Sequence, residues 1–278
     1  MTDYLKRKID LGDAEFANVF DELTFWSSRF GQMLFDRIEI RPHLRILDVG
    51  CASGFPLFEL GGVFGHSCRI TGLDIWSEAL NRAERKRKFY APPNITLVEA
   101  DGAHQPFRDA TFDLLISNLG VNNWSDPEAV LAECFRVAKP GARLVLTTNI
   151  KGHYREFYDV FRETLRELNR PEQLEKLAAQ EQHRGTKESV CDLLQQSGWK
   201  PVRIEEDSFR MRFADGSALF NHSLTRIGFL DGWRSVVAPD EEILVFEATE
   251  KKLNEVARIK GELRMSVPML YLEAEKAA

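Results

Sequence analysis

Three aspartates stand next to short apolar runs, at positions where a carboxylate can contact a ligand. Asp48 comes just before a stretch of small residues, Gly50 to Gly54, with the sequence GCASG. Asp74 ends the run RITGLD, and Asp101 follows the run NITLVEA. Glycine lets the backbone approach a bound molecule closely. A carboxylate beside such a loop would repel a pyrophosphate, but it suits a ligand that carries an amino group.

The three carboxylates predict three different contacts. Asp74 can accept hydrogen bonds from both hydroxyls of a ribose, and the segment Asp101-Gly102-Ala103 can meet the edge of an adenine. With Asp48 near a cationic group, the site is suited to a nucleoside that has a cationic tail and no phosphate. S-adenosyl-L-methionine has this chemistry, and S-adenosyl-L-homocysteine is its product after loss of the methyl group.

The small-residue loop differs from other ligand-binding loops. The dinucleotide motif G-x-G-x-x-G has glycine where this chain has Ala52, and no G-K-[ST] follows to make a phosphate loop. Ser53 lies one residue too late for the hydrolase motif G-x-S-x-G. An NAD-linked oxidoreductase on a related sheet is therefore the less favoured alternative.

Short apolar runs alternate with helical segments between residues 45 and 149. Strands are predicted at residues 45–49, 69–75, 94–100, 111–118 and 142–149. This alternation favours a parallel sheet covered on both faces, with the ligand beyond the carboxyl ends of the strands. Asn118 and Asn149 end two of these strands. Further strands are predicted within residues 198–213 and at 266–276.

We therefore predict an α/β fold, namely a Rossmann-like, doubly wound, mostly parallel seven-stranded sheet. A helical segment precedes the sheet, and a helical insertion precedes its last strand. The predicted domains are an N-terminal helical cap (residues 1–43), a cofactor-binding α/β core with helical additions (44–216), a lid or insertion (217–263), and the last strand of the core sheet (264–278).

Four motifs give the chain a resemblance to a known family. They are LDVGCASG, GLDIWSEAL, EADGAHQPFRDATFDLLISN and VLAECFRVAKPGARLVLT, and they cover roughly residues 44–149 in this order. The chain resembles class I S-adenosylmethionine-dependent methyltransferases, especially the type 11-like branch of ubiquinone and menaquinone biosynthesis.

The resemblance implies roles for individual residues. Asp74 would hold the ribose hydroxyls, Ile75 would pack on adenine, and Asp101 would accept from the adenine amino group. The main chain of the small-residue loop would face the methionine portion. One departure is Ala52, where many members have glycine, and alanine suits the loop if its backbone is not left-handed. The full set of predicted cofactor-binding residues is Asp48, Gly50, Cys51, Ala52, Gly54, Asp74, Ile75, Asp101, Gly102, Ala103 and Asn118.

Methyl transfer from a sulfonium needs positioning and exclusion of water more than it needs a catalytic triad or a metal. No catalytic residue and no metal site are therefore assigned. Asn122 and Asn123 follow the fourth strand, where they can contact the acceptor or form a turn. His153, Tyr158 and His222 are the remaining substrate candidates.

The composition of the chain limits the kinds of molecule that it is expected to bind. The chain has 278 residues, 44% of them hydrophobic, and a formal net charge of −6, which disfavours broad binding to nucleic acid. No apolar run reaches the ~18 residues that span a bilayer. The four cysteines lack a C-x-x-C spacing. We expect a cytoplasmic enzyme with a small-molecule acceptor and consider a homodimer. The alternative is a sensor or scaffold that binds S-adenosylmethionine without catalysis.

Overall fold

A computed structural model describes residues 3–6, 10–20, 24–90, 92–182 and 184–277. Seven strands form one sheet in the order β3-β2-β1-β4-β5-β7-β6. The strands are β1 (Arg45–Val49), β2 (Arg69–Asp74), β3 (Ile95–Glu99), β4 (Phe112–Asn118), β5 (Ala138–Asn149), β6 (Lys200–Phe213) and β7 (Leu263–Glu275). The predicted α/β fold class and strand number are confirmed.

Helices connect most of the strands. They are α1 (Ala14–Phe20), α2 (Thr24–Phe35), α3 (Leu57–Phe64), α4 (Ser77–Tyr90), α5 (Pro127–Val137), α6 (Arg155–Glu167), α7 (Pro171–Gln182), α8 (Lys187–Gln196), α9 (Gly216–Asn221), α10 (Ser223–Gly228), α11 (Leu230–Arg234) and α12 (Glu242–Lys260). The helical insertion predicted before the last strand corresponds to α9–α12. Asp126 begins α5 because its side chain accepts a hydrogen bond from the backbone N–H of Ala129 at 2.9 Å.

The pairing of the strands creates a switch point in the sheet. β1 pairs in parallel with β2 on one side and with β4 on the other, while β2 pairs with β3 and β4 with β5. β7 runs antiparallel to β5, since Gly141 N–H donates to Lys276 O at 2.9 Å and Lys276 N–H donates to Ala142 O at 3.0 Å. In sheets of this kind, ligands bind where the strand order reverses, here beyond β1 and β4.

The chain divides into two compact units. The unit called here the sheet unit comprises Asp10–Thr148, Lys187–Glu206 and Met269–Ala278. The helical unit comprises the described residues before Asp10, Asn149–Thr186 and Asp207–Pro268. The predicted insertion 217–263 thus shares a unit with residues 149–186, which sequence reasoning grouped with the α/β core.

The core of the sheet unit consists of aliphatic strand residues. Ile46, Leu47, Leu115 and Leu144 are fully buried. Their strands read as nearly continuous apolar runs because helices cover both faces of a parallel sheet. At the edge of this core, the Trp199 indole N–H donates to Leu131 O at 3.2 Å.

The helical unit has an aromatic core instead. The rings of Phe157 and Trp233 stack with centroids 3.8 Å apart, and Tyr4 stacks on Phe220 at 4.8 Å. Phe161 and Phe246 pack at 5.8 Å. Large aromatic side chains bury much apolar surface, so a few of them stabilise several short helices. Within the described ranges, no helix combines the length and the apolar composition needed to cross a bilayer.

We predict that Gly72 in β2 tolerates no side chain. A Cβ atom there would lie 2.6 Å from Leu57 Cδ2 and 2.8 Å from the Cys51 sulfur. Gly72→Ala should therefore lower the free energy of unfolding by about 1–3 kcal/mol in urea titrations. The control is Gly62→Ala on α3, where no atom lies within 4 Å of the added Cβ. Equal stability of the two variants would contradict this packing.

Candidate functional site

Asp48 in β1 is a buried carboxylate without compensation. Its side chain is 0% exposed, and no described residue donates a hydrogen bond to either carboxylate oxygen. Burial, and then the charge of Asp74, raise the pKa of Asp48 to about 8. A buried polar group without a hydrogen bond costs free energy, so a position like this is expected to have a functional reason.

Asp74 ties the small-residue loop to the end of β2. Its Oδ2 accepts from the backbone N–H of Ala52 at 2.7 Å, and its Oδ1 accepts from the backbone N–H of Trp76 at 2.8 Å. Burial raises the pKa of Asp74, and these bonds oppose that effect. Each carboxylate oxygen has a further lone pair that can accept another donor.

The loop uses its own N–H groups internally. The N–H groups of Gly50 and Cys51 both donate to Leu73 O, at 2.8 and 3.1 Å, and Gly54 N–H donates to Cys51 O at 2.8 Å. Together with Ala52, four amides of the loop thus have partners. A dinucleotide loop directs its amides at a pyrophosphate instead. The geometry therefore disfavours the dinucleotide alternative.

Three loop residues have a positive φ, namely Gly50 at 86°, Ala52 at 42° and Gly54 at 104°. Alanine was expected to suit this loop only if its backbone was not left-handed. The backbone of Ala52 is left-handed, so this expectation is wrong. That conformation costs about 1–2 kcal/mol for a residue with a Cβ, and the bond from Ala52 to Asp74 holds it. Gly54 cannot be replaced easily, since a Cβ there would lie 2.1 Å from the Phe58 ring.

The Cys51 side chain belongs to the core. It is 0% exposed, and burial raises the pKa of its thiol well above the usual value. Its sulfur packs against the Gly72 backbone. Only the main chain of Cys51 can therefore face a ligand.

Ile75, the residue after β2, is 68% exposed. The next residue, Trp76, is held firmly, because its indole N–H donates to Leu11 O at 2.6 Å and its ring stacks on Phe16 at 5.8 Å. Sequence reasoning did not assign Trp76 a role. Its position directly after Asp74-Ile75 is the signal that could have pointed to it.

Asp101 begins a turn after β3. Its Oδ1 accepts from the backbone N–H of Ala103 at 2.9 Å, and His104 Nδ1 lies 3.4 Å from its Oδ2. The Ala103 N–H is the main cause that lowers the pKa of Asp101. The carboxylate remains 45% exposed and accessible. Gly102 lies close to α5, since a Cβ there would be 3.3 Å from the Val130 methyl groups.

The asparagines at the end of β4 and in the loop after it make contacts within the sheet unit. Asn118 Oδ1 accepts from the Thr147 hydroxyl at 2.7 Å, and Asn122 Nδ2 donates to the Thr148 hydroxyl at 2.5 Å. Asn123 is exposed, and its Nδ2 donates to Leu119 O at 3.0 Å within its own turn. Asn118 and Asn122 thus connect the end of β4 to β5, whereas Asn123 stabilises a turn.

The other three substrate candidates lie in the helical unit. His153 is buried and stacks on Tyr154 at 4.8 Å, with Tyr158 at 6.2 Å. Burial, and then the charge of Arg184, lower the pKa of His153 to about 3, which makes it a poor general base at neutral pH. The Tyr158 hydroxyl accepts from the Trp233 indole N–H at 3.2 Å.

His222 begins α10. Its Nδ1 accepts from the backbone N–H of Leu224 at 3.2 Å, and its ring meets Phe213 edge-on at 5.4 Å. Burial lowers the pKa of His222. These contacts describe a helix cap.

We compared the chain with known protein families and curated proteins. The profile of a family described as a methyltransferase domain matches residues 47–146. The demethylmenaquinone methyltransferase of Lactococcus lactis is 37% identical over 102 residues, which is 37% of this chain and 40% of that protein. The 2-phytyl-1,4-naphtoquinone methyltransferase of Nostoc is 31% identical over 136 residues, or 47% of this chain and 59% of the relative. The chain thus covers less than two thirds of each of these two relatives.

A solved structure shares the fold. The S-adenosylmethionine-dependent methyltransferase of Aquifex aeolicus superposes with a TM-score of 0.54 at 20% identity, and the match covers 69% of this chain and 91% of that one. Residues 47–146 of the sheet unit thus match the profile of a methyltransferase domain, and the sheet shares the fold of this solved structure.

Proposed function

We propose that this protein transfers the methyl group of S-adenosylmethionine to a small-molecule acceptor. The observation that carries the proposal is the buried Asp48 carboxylate, which has no hydrogen bond from any described residue. A ligand with a cationic group supplies the missing partner. A ligand with a pyrophosphate at this place would meet two carboxylates, Asp48 and Asp74, and four amides already in use.

The residues of the sheet unit would divide the binding of this cofactor. Asp48 would bind its amino group, and Asp74 would accept from the ribose hydroxyls while holding the loop through Ala52. Ile75 would pack on the adenine, and Asp101 would accept from the adenine amino group. Asn118 lies at the end of β4, beside the predicted switch point.

Bound S-adenosylmethionine supplies an electrophilic methyl group on a sulfonium that leaves readily. The chain itself would hold the acceptor in line with that group and exclude water, and such positioning contributes on the order of 7–11 kcal/mol in favourable cases. Methyl transfer by this route does not require a catalytic triad.

The acceptor would be a small molecule bound near the carboxyl ends of the strands, because ligands of this fold lie there. The matched relatives are named for demethylmenaquinone and for 2-phytyl-1,4-naphtoquinone, so these two compounds are the first acceptors to test.

The setting of the reaction is also part of the proposal. All four cysteines are free, which is typical of proteins in a reducing compartment such as the cytoplasm. The net charge of −6 supports a small-molecule partner over nucleic acid.

Calorimetry with S-adenosylmethionine, S-adenosylhomocysteine and NAD tests the cofactor directly. We expect both adenosyl ligands to bind and NAD not to bind. Formation of S-adenosylhomocysteine with a panel of acceptors then tests catalysis. Binding of the cofactor without product from any acceptor would favour a sensor, and exclusive binding of NAD would overturn the proposal.

We predict that Asp74→Ala weakens S-adenosylhomocysteine binding on the order of a hundredfold, because the ribose hydroxyls and the Ala52 N–H lose a charged acceptor. The control is Glu99→Ala, which removes an exposed carboxylate at the end of the neighbouring strand. Calorimetry measures the affinities, and circular dichroism checks the fold. An unchanged affinity in folded Asp74→Ala would contradict this role.

Asp48 predicts a pH dependence of stability. Its pKa of about 8 in the folded protein exceeds the ordinary value of 3.8, so the folded state holds an extra proton between these values. The unfolding free energy of the wild type, relative to Asp48→Asn, should therefore fall as pH rises from about 5 to 8, by up to ~1.4 kcal/mol per pH unit. Saturating S-adenosylhomocysteine should flatten this slope, because its amino group compensates the carboxylate. Parallel pH profiles of both proteins without ligand would argue against a buried, uncompensated Asp48.

A further inference from the structure

The helical unit contains a cavity of about 440 Å³ whose lining residues have no part in the proposed cofactor site. Residues of α6, β6, α12 and the segment 262–265 line it, and all of them belong to the helical unit. Glu156 and Val160 are four residues apart on α6, and so are Val256 and Lys260 on α12. Each pair therefore shares one face of its helix. The volume falls within the range of roughly 300–1,000 Å³ that is typical of ligand sites.

The accessible apolar surface of the cavity is small. Leu253, Leu263 and Met265 line it, but they are only 1–2% exposed and belong to the core of the unit. Val160 and Val256 are half-buried and offer apolar surface to a ligand. A ligand with a short apolar part can cover these two side chains. A long acyl chain or a set of fused rings would leave most of its own apolar surface in water.

The two carboxylates that line the cavity, Glu156 and Glu262, already have donors. Glu262 accepts from Arg212 Nε at 2.9 Å and from the guanidinium of Arg264. Glu156 accepts from the backbone N–H of Ser266 at 2.8 Å and from the hydroxyl of the same residue. Two guanidinium groups thus share the charge of Glu262, and Glu156 holds the backbone of β7.

Two further cations line the same cavity. Arg210 on β6 and Lys260 on α12 are exposed, and neither forms an ion pair with a carboxylate in the described part of the chain. Lys260 also offsets the dipole of α12, because it lies in the last turn of that helix. Exposed cations without a carboxylate are common on protein surfaces, and Arg166 on α6 is another. Arg210 and Lys260 differ from Arg166 because they line one cavity together.

The charges around the cavity favour an anion. Arg210, Lys260 and Arg264 line it, and Arg212 adds a further cation beside Glu262. This positive excess is local, since the chain as a whole has a formal net charge of −6. Several cations at one concave surface raise the local concentration of anions. A guanidinium binds carboxylate and phosphate oxygens through two parallel hydrogen bonds, so an oxyanion is the suitable partner.

We propose that this cavity binds a small organic anion, namely a carboxylate or a phosphate ester with a short apolar part. Arg210 and Lys260 would contact the anionic group, and Val160 and Val256 would contact the apolar part. The proposal goes beyond the proposed methyl transfer and does not depend on it. No chemical step is assigned to the cavity.

Thermal unfolding of the full chain tests the cavity with defined probes. Sodium pentanoate and sodium butyl phosphate are each compared with sodium chloride at equal ionic strength. We expect at least one of the two organic anions to raise the Tm to a saturating value, because a ligand that binds only the folded state stabilises it. The probe that saturates at the lower concentration identifies the anionic group as a carboxylate or a phosphate ester.

Two simpler compounds separate the contributions of charge and apolar surface. Sodium acetate has the charge of pentanoate without most of its apolar part, and pentanamide has the apolar part without the charge. We expect each to need a concentration about tenfold higher than the effective anion for the same rise in Tm.

Substitutions at the cavity show where the anion binds. Arg210→Gln and Lys260→Gln should each weaken the effective probe about tenfold, since each removes a charge-assisted hydrogen bond. The matched control is Arg166→Gln, which removes an exposed guanidinium from α6 outside the cavity and should keep the full rise. All three side chains are exposed, so the Tm values in chloride should stay close to that of the wild type.

Four outcomes would overturn the proposal. The organic anions could raise the Tm no more than chloride does, or the rise could persist in the double variant Arg210→Gln/Lys260→Gln. Acetate as effective as pentanoate would indicate unspecific ion binding, and pentanamide as effective as pentanoate would exclude the cations from recognition.

Sedimentation velocity checks for another occupant. A dimer of the wild type that the double variant loses would assign the cavity to a second copy of the chain and overturn the proposal. Calorimetry with S-adenosylhomocysteine keeps the two proposals apart, because the double variant should bind this ligand like the wild type. If the wild type binds no S-adenosylhomocysteine, the proposed function fails, while the probe series still decides on the cavity.

Discussion

The burial of the uncompensated Asp48 carboxylate, with the charge of Asp74 on the neighbouring strand as a second cause, is the constraint on which the candidate cofactor site depends. Asp48 and Asp74 lie on β1 and β2, and the charge of Asp74 makes ionisation of the buried Asp48 still harder. Asp74 is stabilised by two backbone N–H groups, whereas Asp48 has none. The amides of Gly50, Cys51 and Ala52 in the loop after β1 donate to Leu73 and Asp74, so Asp48 receives no hydrogen bond from them and a cation is its suitable partner.

Much of the sheet unit could be predicted from sequence, because its strands and helices are determined by patterns among neighbouring residues. Apolar runs of strand length alternate with helices, and parallel pairing brings the ends of the strands to one edge. The positions of Asp48, Asp74 and Asp101 follow from that alone. The cap at Asp126 obeys a local rule as well, since an aspartate followed by proline is a typical helix start. The carboxyl end of β4 lies where the apolar run ends at Asn118.

The rest depends on contacts between distant parts of the chain. The left-handed backbone of Ala52 follows from its bond to Asp74, and nothing in the residue type favours it. The sequence makes His222 a candidate for contact with the substrate, and in the structure its ring nitrogen caps α10. Sequence shows which charges are present and cannot show which of them remain without a counterion.

The match to the methyltransferase family covers residues 47–146, and all segments of the helical unit lie outside this range. The matched motif set and the aromatic helices are therefore encoded by separate stretches of the gene. Substitutions in the aromatic helices of residues 149–186 and 207–268 can therefore change that core without altering the matched motif set.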